Sequence, residues 1–256
     1  MDRRKLTRLL AALAAAALVL LGGIELYRRQ GTPVPVLMYH HFMDVDSSDV
    51  DTIVTVKRFR EQLLALKAAG YTPVDPFEIA DHVENGTPLP DKPVLITMDD
   101  GYSSNLELAA PVLEECGMKA TVFVIGATVG RTTYPGSETV LDPPRFSWEQ
   151  VRPWVDKGVL CIQSHTYTHG NLSAMDEAAL RQEMELSNAA LAAATGQIPY
   201  VLCYPEGKYS YLTMDIAKEY YSFALRMDGW TYQTGMDPYQ VPRSFVSRRI
   251  TVPDFT

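Results

Sequence analysis

A chain of 256 residues with 46% hydrophobic and 21% charged positions can bury one large globular core. Its net charge of -8 excludes nucleic acid as a partner, which would call for a basic face. Three widely separated cysteines, Cys116, Cys161 and Cys203, lack Cys-x-x-Cys spacing, which excludes a zinc–thiolate site and calls for no disulfide.

The first residues carry Arg3, Arg4, Lys5 and Arg8, and residues 9–24 then carry no charge. A basic flank ahead of an apolar run is the pattern of a secretory signal or a signal anchor. Extended to Tyr27, the run approaches the ~17–25 residues that span a bilayer. Small-residue cleavage patterns fall inside the run and none is well placed after it, which favours a retained anchor. The positive flank would stay inside and the remainder would lie outside the cytoplasm. Residues 1–32 are therefore read as signal anchor and tether. Residues 33–256 are read as one domain on the outer side of a cell membrane, or secreted if the leader is removed.

From Pro33 onward, apolar runs alternate with amphipathic segments. Residues 34–39 predict a strand ending at His40 and His41, and residues 56–69 a helix stopped by Gly70. A strand over 94–98 runs into Asp99, Asp100 and Gly101; a helix over 106–116 stops at Gly117; a strand over 120–125 closes at Gly126. Residues 131–145, rich in Thr, Pro and Gly, form a long connection of the kind that shapes a substrate groove. Then come a helix over 148–155, a strand over 159–163, a helix over 176–194, a strand over 200–204 and a helix over 212–220. Residues 222–225 and 250–252 read as closing strands. This rhythm implies parallel β-α units, an α/β fold read as an incomplete (β/α) barrel of about seven parallel strands.

Two stretches carry chemistry. Asp99 and Asp100 stand at the carboxyl end of a buried strand, where α/β folds place their sites, and adjacent carboxylates repel unless a cation or proton intervenes. His165 and His169 lie four apart just past another buried strand. Two imidazoles and one carboxylate make a three-ligand set for a catalytic divalent metal that leaves a position open for water. An acidic loop holds Asp44, Asp46, Asp49 and Asp51, and four tyrosines, Tyr200, Tyr204, Tyr209 and Tyr211, cluster near a Tyr-Pro-Glu-Gly turn. Solvation is the ordinary reading of the loop, and tyrosines are common where strands meet loops.

The segments Thr97-Met98-Asp99-Asp100-Gly101, His165-Thr166-Tyr167-Thr168-His169 and Tyr204-Pro205-Glu206-Gly207 resemble, in order and rough separation, three motifs of the polysaccharide deacetylases, carbohydrate esterase family 4. The opening Pro35-Val36-Leu37-Met38-Tyr39-His40-His41-Phe42 resembles the branch that deacetylates poly-N-acetylglucosamine in biofilm matrices. The resemblance implies a metal at Asp100, His165 and His169, zinc first, with cobalt or nickel as alternatives. It implies Asp99 as general base and the backbone N–H of Glu206 as an oxyanion donor. Two departures stand out. Cys203 occupies the place where most of the family has an arginine, so a cation orienting Asp99 must come from elsewhere, Arg243, Arg248 or Arg249. No histidine follows His169. In the branch resembled, the order is circularly shifted, which makes His40 the general acid, with His41 second. Trp230 resembles the aromatic walling the acetyl pocket, although a packed core Trp is an equal reading.

The implied function is metal-dependent removal of N-acetyl groups from an extracellular N-acetylglucosamine polymer, poly-N-acetylglucosamine or peptidoglycan-like. An O-acetyl esterase and an inactive glycan-binding relative are the alternatives. The implied partners are that acetylated polysaccharide and, through the N-terminal helix, a membrane; the expected state is a monomer.

Overall fold

The computed structural model describes residues 31–133 and 143–252. Seven strands form its main sheet: β1 Val36–Tyr39, β2 Pro93–Asp99, β3 Ala120–Val124, β4 Leu160–Ser164, β5 Val201–Cys203, β6 Phe223–Leu225 and β7 Ser244–Phe245. Their spatial order is β6-β5-β4-β3-β2-β1-β7, and every neighbouring pair is parallel. A short strand, Thr72–Pro73, adds a rung at the start of β2. Strands consecutive around the sheet, with the last returned beside the first, describe a barrel opened between β6 and β7. The seam is partly closed: Leu225 bridges Val241, and the Arg226 N–H donates to the Val241 carbonyl at 2.9 Å. The sheet agrees with the sequence expectation. The anchor helix expected in residues 1–32 falls almost wholly outside the described residues, among which no helix is long and apolar enough to cross a membrane.

Parallel strands covered on both faces read as unbroken apolar runs, and β2 is buried at every position. Its side chains nonetheless divide between two cores. Val94, Ile96 and Met98 pack outward with Phe59 and Leu63 of helix α1 (Val56–Ala68) and with Leu113. Leu95 faces the barrel interior with Val36, Phe123, Val201, Cys203 and Leu225. Helix α2 (Pro76–Asn85) lies in a stretch to which the sequence expectation assigns no element. Proline is tolerated in the first helical turn, and the capping box between Asp75 and Glu78 was the available signal. Ile79 and Ala80 of α2 join Val34 and Tyr232 in plugging the barrel at the amino-terminal ends of its strands.

Among the described residues, four further helices complete the layer: α3 (Ala110–Cys116), α4 (Trp148–Asp156), α5 (Glu177–Thr195) and α6 (Tyr211–Tyr220). The helix expected over 106–116 begins instead as a π-helical turn, Asn105–Ala109. The closing strand expected at 250–252 is also displaced. Ser244 and Phe245 pair with Leu37 and Met38, occupying the free edge of β1, and the Ile250 N–H turns back to the Ser247 carbonyl at 3.0 Å.

Candidate active site

Alternation along β2 sends Leu95, Thr97 and Asp99 inward, so Asp99 arrives at the carboxyl end of the barrel only 2% exposed. Regular alternation would send Asp100 the other way. Instead Asp100 adopts φ 72°, a left-handed conformation uncommon outside glycine, and the chain turns at once. Among the described residues, the other non-glycine positions with positive φ are Thr166 (65°), His169 (63°) and Glu206 (52°). All four lie in the three motifs, as expected where surrounding structure holds strain at a functional site.

Arg243 resolves the question of the orienting arginine. It lies in the seam just before β7, 1% exposed, and grips both oxygens of Asp99 through Nη1 (2.7 Å to Oδ1) and Nη2 (2.8 Å to Oδ2). Its Nε donates to the Arg226 carbonyl at 3.0 Å and its Nη1 also to Thr97 Oγ1 at 3.2 Å, so the fork is fixed from both sides. Burial alone would raise the Asp99 carboxyl; the guanidinium, with His165 and His40 adding to it, outweighs burial and holds it well below the usual carboxylate range. Arg248 and Arg249 are committed elsewhere. Arg248 pairs with Asp46 and with Asp49 (3.3 Å), and Arg249 with Asp51 (3.2 Å), tying down the acidic loop.

Asp100, His165 and His169 converge as the sequence predicts. Both imidazole Nε2 atoms lie 3.6 Å from Asp100 Oδ1, and the two rings are 4.8 Å apart. His165 Nδ1 sits 2.8 Å from the Cys203 carbonyl, which can only accept, so Nδ1 carries the proton and Nε2 presents a lone pair. Burial pushes His165 down to about 4, so at neutral pH its approach to Asp100 is not an ion pair. Donors around a tetrahedral ion at ~2.0–2.2 Å stand about 3.3–3.6 Å apart, so the set fits a divalent metal. A second grouping, Asp99 with His165 and Cys203, fits poorly. Arg243 occupies both Asp99 oxygens, and burial keeps the Cys203 thiol protonated.

The two N-terminal histidines part company. His40 turns inward, with Nε2 3.9 Å from Asp99 Oδ2 and Nδ1 buried without a hydrogen-bond partner. His41 Nδ1 meets Ser104 Oγ at 2.7 Å and its ring tilts against Tyr102. The π turn contributes here: Asn105 Nδ2 donates to the His40 carbonyl at 2.7 Å, holding the end of β1. Sequence reasoning missed Asn105 and Thr97, whose roles depend on strands distant in the chain.

In the third motif, the Glu206 carboxylate is exposed and pairs with Lys208. Gly207, at φ 64°, packs so closely that an added Cβ would meet Met227 Cβ at 2.8 Å. This turn lines a depression of about 500 Å³ together with Asp228, Gly229, Arg243 and Phe245. Trp230 is 87% exposed next to Gly229, so it is not a core residue. Tyr204 is buried with Tyr209 stacked on it, and Tyr200 packs near Phe77 and Cys161, leaving Tyr211 as the exposed member of the four.

Comparison with known proteins places these features. The family model for polysaccharide deacetylase matches residues 86–221, 136 of 256. The Bacillus subtilis protein YxkH is 31% identical over 186 residues, 73% of this chain and 61% of that protein. The poly-beta-1,6-N-acetyl-D-glucosamine N-deacetylase of Escherichia coli K12 is 29% identical over 135 residues, 51% of this chain and 20% of that protein. The chain thus matches less than two thirds of the length of either. The structure of IcaB from Ammonifex degensii superposes with a TM-score of 0.75 at 28% identity, covering 88% of this chain and 96% of that one. With a matched span that holds Asp99, Asp100, His165, His169 and Glu206, this chain belongs to the polysaccharide deacetylase family.

Proposed function

We propose that this chain is a metal-dependent N-deacetylase of an N-acetylglucosamine-containing polysaccharide outside the cytoplasm, poly-N-acetylglucosamine or a peptidoglycan-like polymer. One juxtaposition carries the reading: Asp100, His165 and His169 offer donors within 4.8 Å of one another, beside an ionised Asp99 clamped by Arg243. A divalent cation in that set, zinc first and cobalt or nickel next, supplies Lewis acidity that polarises an acetamide carbonyl and acidifies water, so a weakly basic carboxylate suffices as acceptor. Asp99 takes the proton of the attacking water while Arg243 keeps the carboxylate in place. Attack makes the carbonyl carbon tetrahedral, and the N–H of Glu206 donates to the oxyanion. His40 hands a proton to the nitrogen as the C–N bond breaks, releasing acetate and a free amine.

The outward placement belongs to the same proposal. The described chain enters through the strand Pro33–Val34, paired with Tyr232–Gln233, and Val34 packs with α2 at the end of the barrel opposite the site. An anchor in the preceding residues would attach there and turn the site away from the bilayer, toward polymer.

The test is acetate release from N-acetylglucosamine oligomers by the full chain, metal-stripped and with zinc restored, beside Asp99→Asn. Zinc-dependent release abolished by the substitution supports the reading. Release from O-acetylated glycans alone would make the protein an esterase, and no release from any acetylated glycan would make it a binding protein.

A further inference from the structure

The loop Thr166–His169 between the two histidines leaves the regular sheet, and its backbone groups must find partners. The Thr166 and Tyr167 carbonyls accept from the N–H groups of Gly126 (3.0 Å) and Ala127 (2.8 Å) beyond β3. The His169 N–H donates to Thr166 Oγ1 at 3.1 Å. The Thr166 N–H donates to Ser164 Oγ at 3.2 Å, and the remaining two amides go to one side chain. Glu183 Oε2 accepts from Tyr167 N (3.0 Å) and Thr168 N (2.8 Å), and Oε1 accepts from the Thr168 hydroxyl at 2.6 Å. Glu183 lies on α5 and is 8% exposed.

Successive amides after a left-handed residue form a concave anion-binding nest, and here Thr166 at 65° opens it. The anion that fills it is the carboxylate of Glu183. Left-handed residues at Thr166 and His169 bracket the two captured amides, each costing about 1–2 kcal/mol that the surroundings must offset. α5 is bound to the same strand end by a second contact, Ser187 Oγ to Ser164 Oγ at 2.9 Å, so the carboxylate hangs from a fixed support.

We propose that Glu183 is a positioning residue for the histidine pair: its carboxylate, buried in the nest, holds the turn in the conformation that aims His169 at Asp100 and His165. The inference rests on the metal reading of the preceding section and adds to it a residue that touches neither metal nor substrate.

The test uses the full chain and zinc itself. Zinc affinity is measured by calorimetry, and hydrogen exchange at the Tyr167 and Thr168 amides is followed in the metal-free protein. Glu183→Ala empties the nest; Glu183→Gln keeps its volume and one acceptor oxygen; Glu185→Ala removes an exposed acid from the same helix. The expected result is a 10- to 100-fold loss of zinc affinity in Glu183→Ala with faster exchange at both amides, as outer partners of metal ligands produce. Glu183→Gln should recover only part of this, since a neutral oxygen accepts more weakly than a charged one, and Glu185→Ala should match the wild type. Loss of global stability alone leaves the zinc affinity of a chain that is still folded unchanged. A folded Glu183→Ala with wild-type affinity and exchange overturns the inference. If that variant does not fold, Glu183→Gln decides: unchanged affinity and unchanged exchange together overturn it. A wild-type chain that takes up no zinc overturns the metal reading and this inference with it, distinguished because the unsubstituted control itself fails.

Discussion

Arg243 and Asp99, 144 positions apart in the chain, meet through two parallel hydrogen bonds of 2.7 and 2.8 Å inside the barrel mouth. Both are almost fully buried, so each neutralises a charge that would otherwise stand alone out of water. The geometry joins stability to chemistry in one contact.

Breaking this pair from one side should therefore cost more than removing it. Arg243→Met leaves a buried, unpaired carboxylate and should destabilise by about 3–5 kcal/mol in chemical denaturation. Asp99→Asn combined with Arg243→Met should recover much of that loss; simple addition of the two single effects would sink the coupling. Arg243→Lys keeps the charge without the fork, and should lose acetate release by on the order of 100-fold with a smaller stability loss.

Metal dependence should be reversible. Chelation followed by dialysis should abolish acetate release, and zinc should restore it. Asp100→Asn and His169→Ala should each weaken zinc binding by at least about 100-fold, more than the loss of an outer partner brings. Full activity in the stripped protein, or wild-type affinity in His169→Ala, would remove the site from the mechanism.

The two adjacent histidines should behave differently. His40→Ala should lower kcat by about 10²–10⁴-fold, as loss of a general acid does. His41→Ala, whose ring is turned toward Ser104, should stay within about 10-fold of wild type, the scale of a small positional effect. The reverse ranking would give the acid role to His41.

Metal-free protein should also weaken on mild acidification. Burial pushes His165 from 6.5 in the unfolded chain to about 4 in the fold, so folding favours the neutral ring. That contribution is complete above the unfolded value and is lost as pH falls from 6.5 toward 4. The Tm of the metal-stripped chain should drop by several degrees between pH 7 and pH 5, and His165→Asn should flatten part of the slope. A Tm that holds level over this range would contradict the buried, neutral histidine.

Much of the barrel was legible along the chain. Parallel strands covered on both sides are short apolar runs, and glycines close their helices, so β1 to β6 and most helices could be placed from local pattern. Helix α2 has no counterpart in the sequence expectation, although the capping box between Asp75 and Glu78 marks its start. The final strand was misplaced because Ile250, Thr251 and Val252 resemble a strand locally, while pairing along β1 selected Ser244 and Phe245.

What the sequence alone determined is the list of candidate residues: Asp99, Asp100, His165 and His169 stand at ends of runs whose burial is a local property, within the family-matched span 86–221. His40 and Arg243 lie outside that span, and the choice of each over its neighbours came from tertiary structure. The physical reason is sheet order. Pairing of β7 with β1 and of β1 with β2 brings the two chain-distant strands to the side of Asp99, and it leaves Arg248 and Arg249 beyond the strand, where the acidic loop receives them. Left-handed backbone at Asp100 and His169 does the rest, aiming side chains that alternation alone would send apart. No local pattern encodes which strands become neighbours; long-range pairing decides it, and with it the residues that surround the carboxylate.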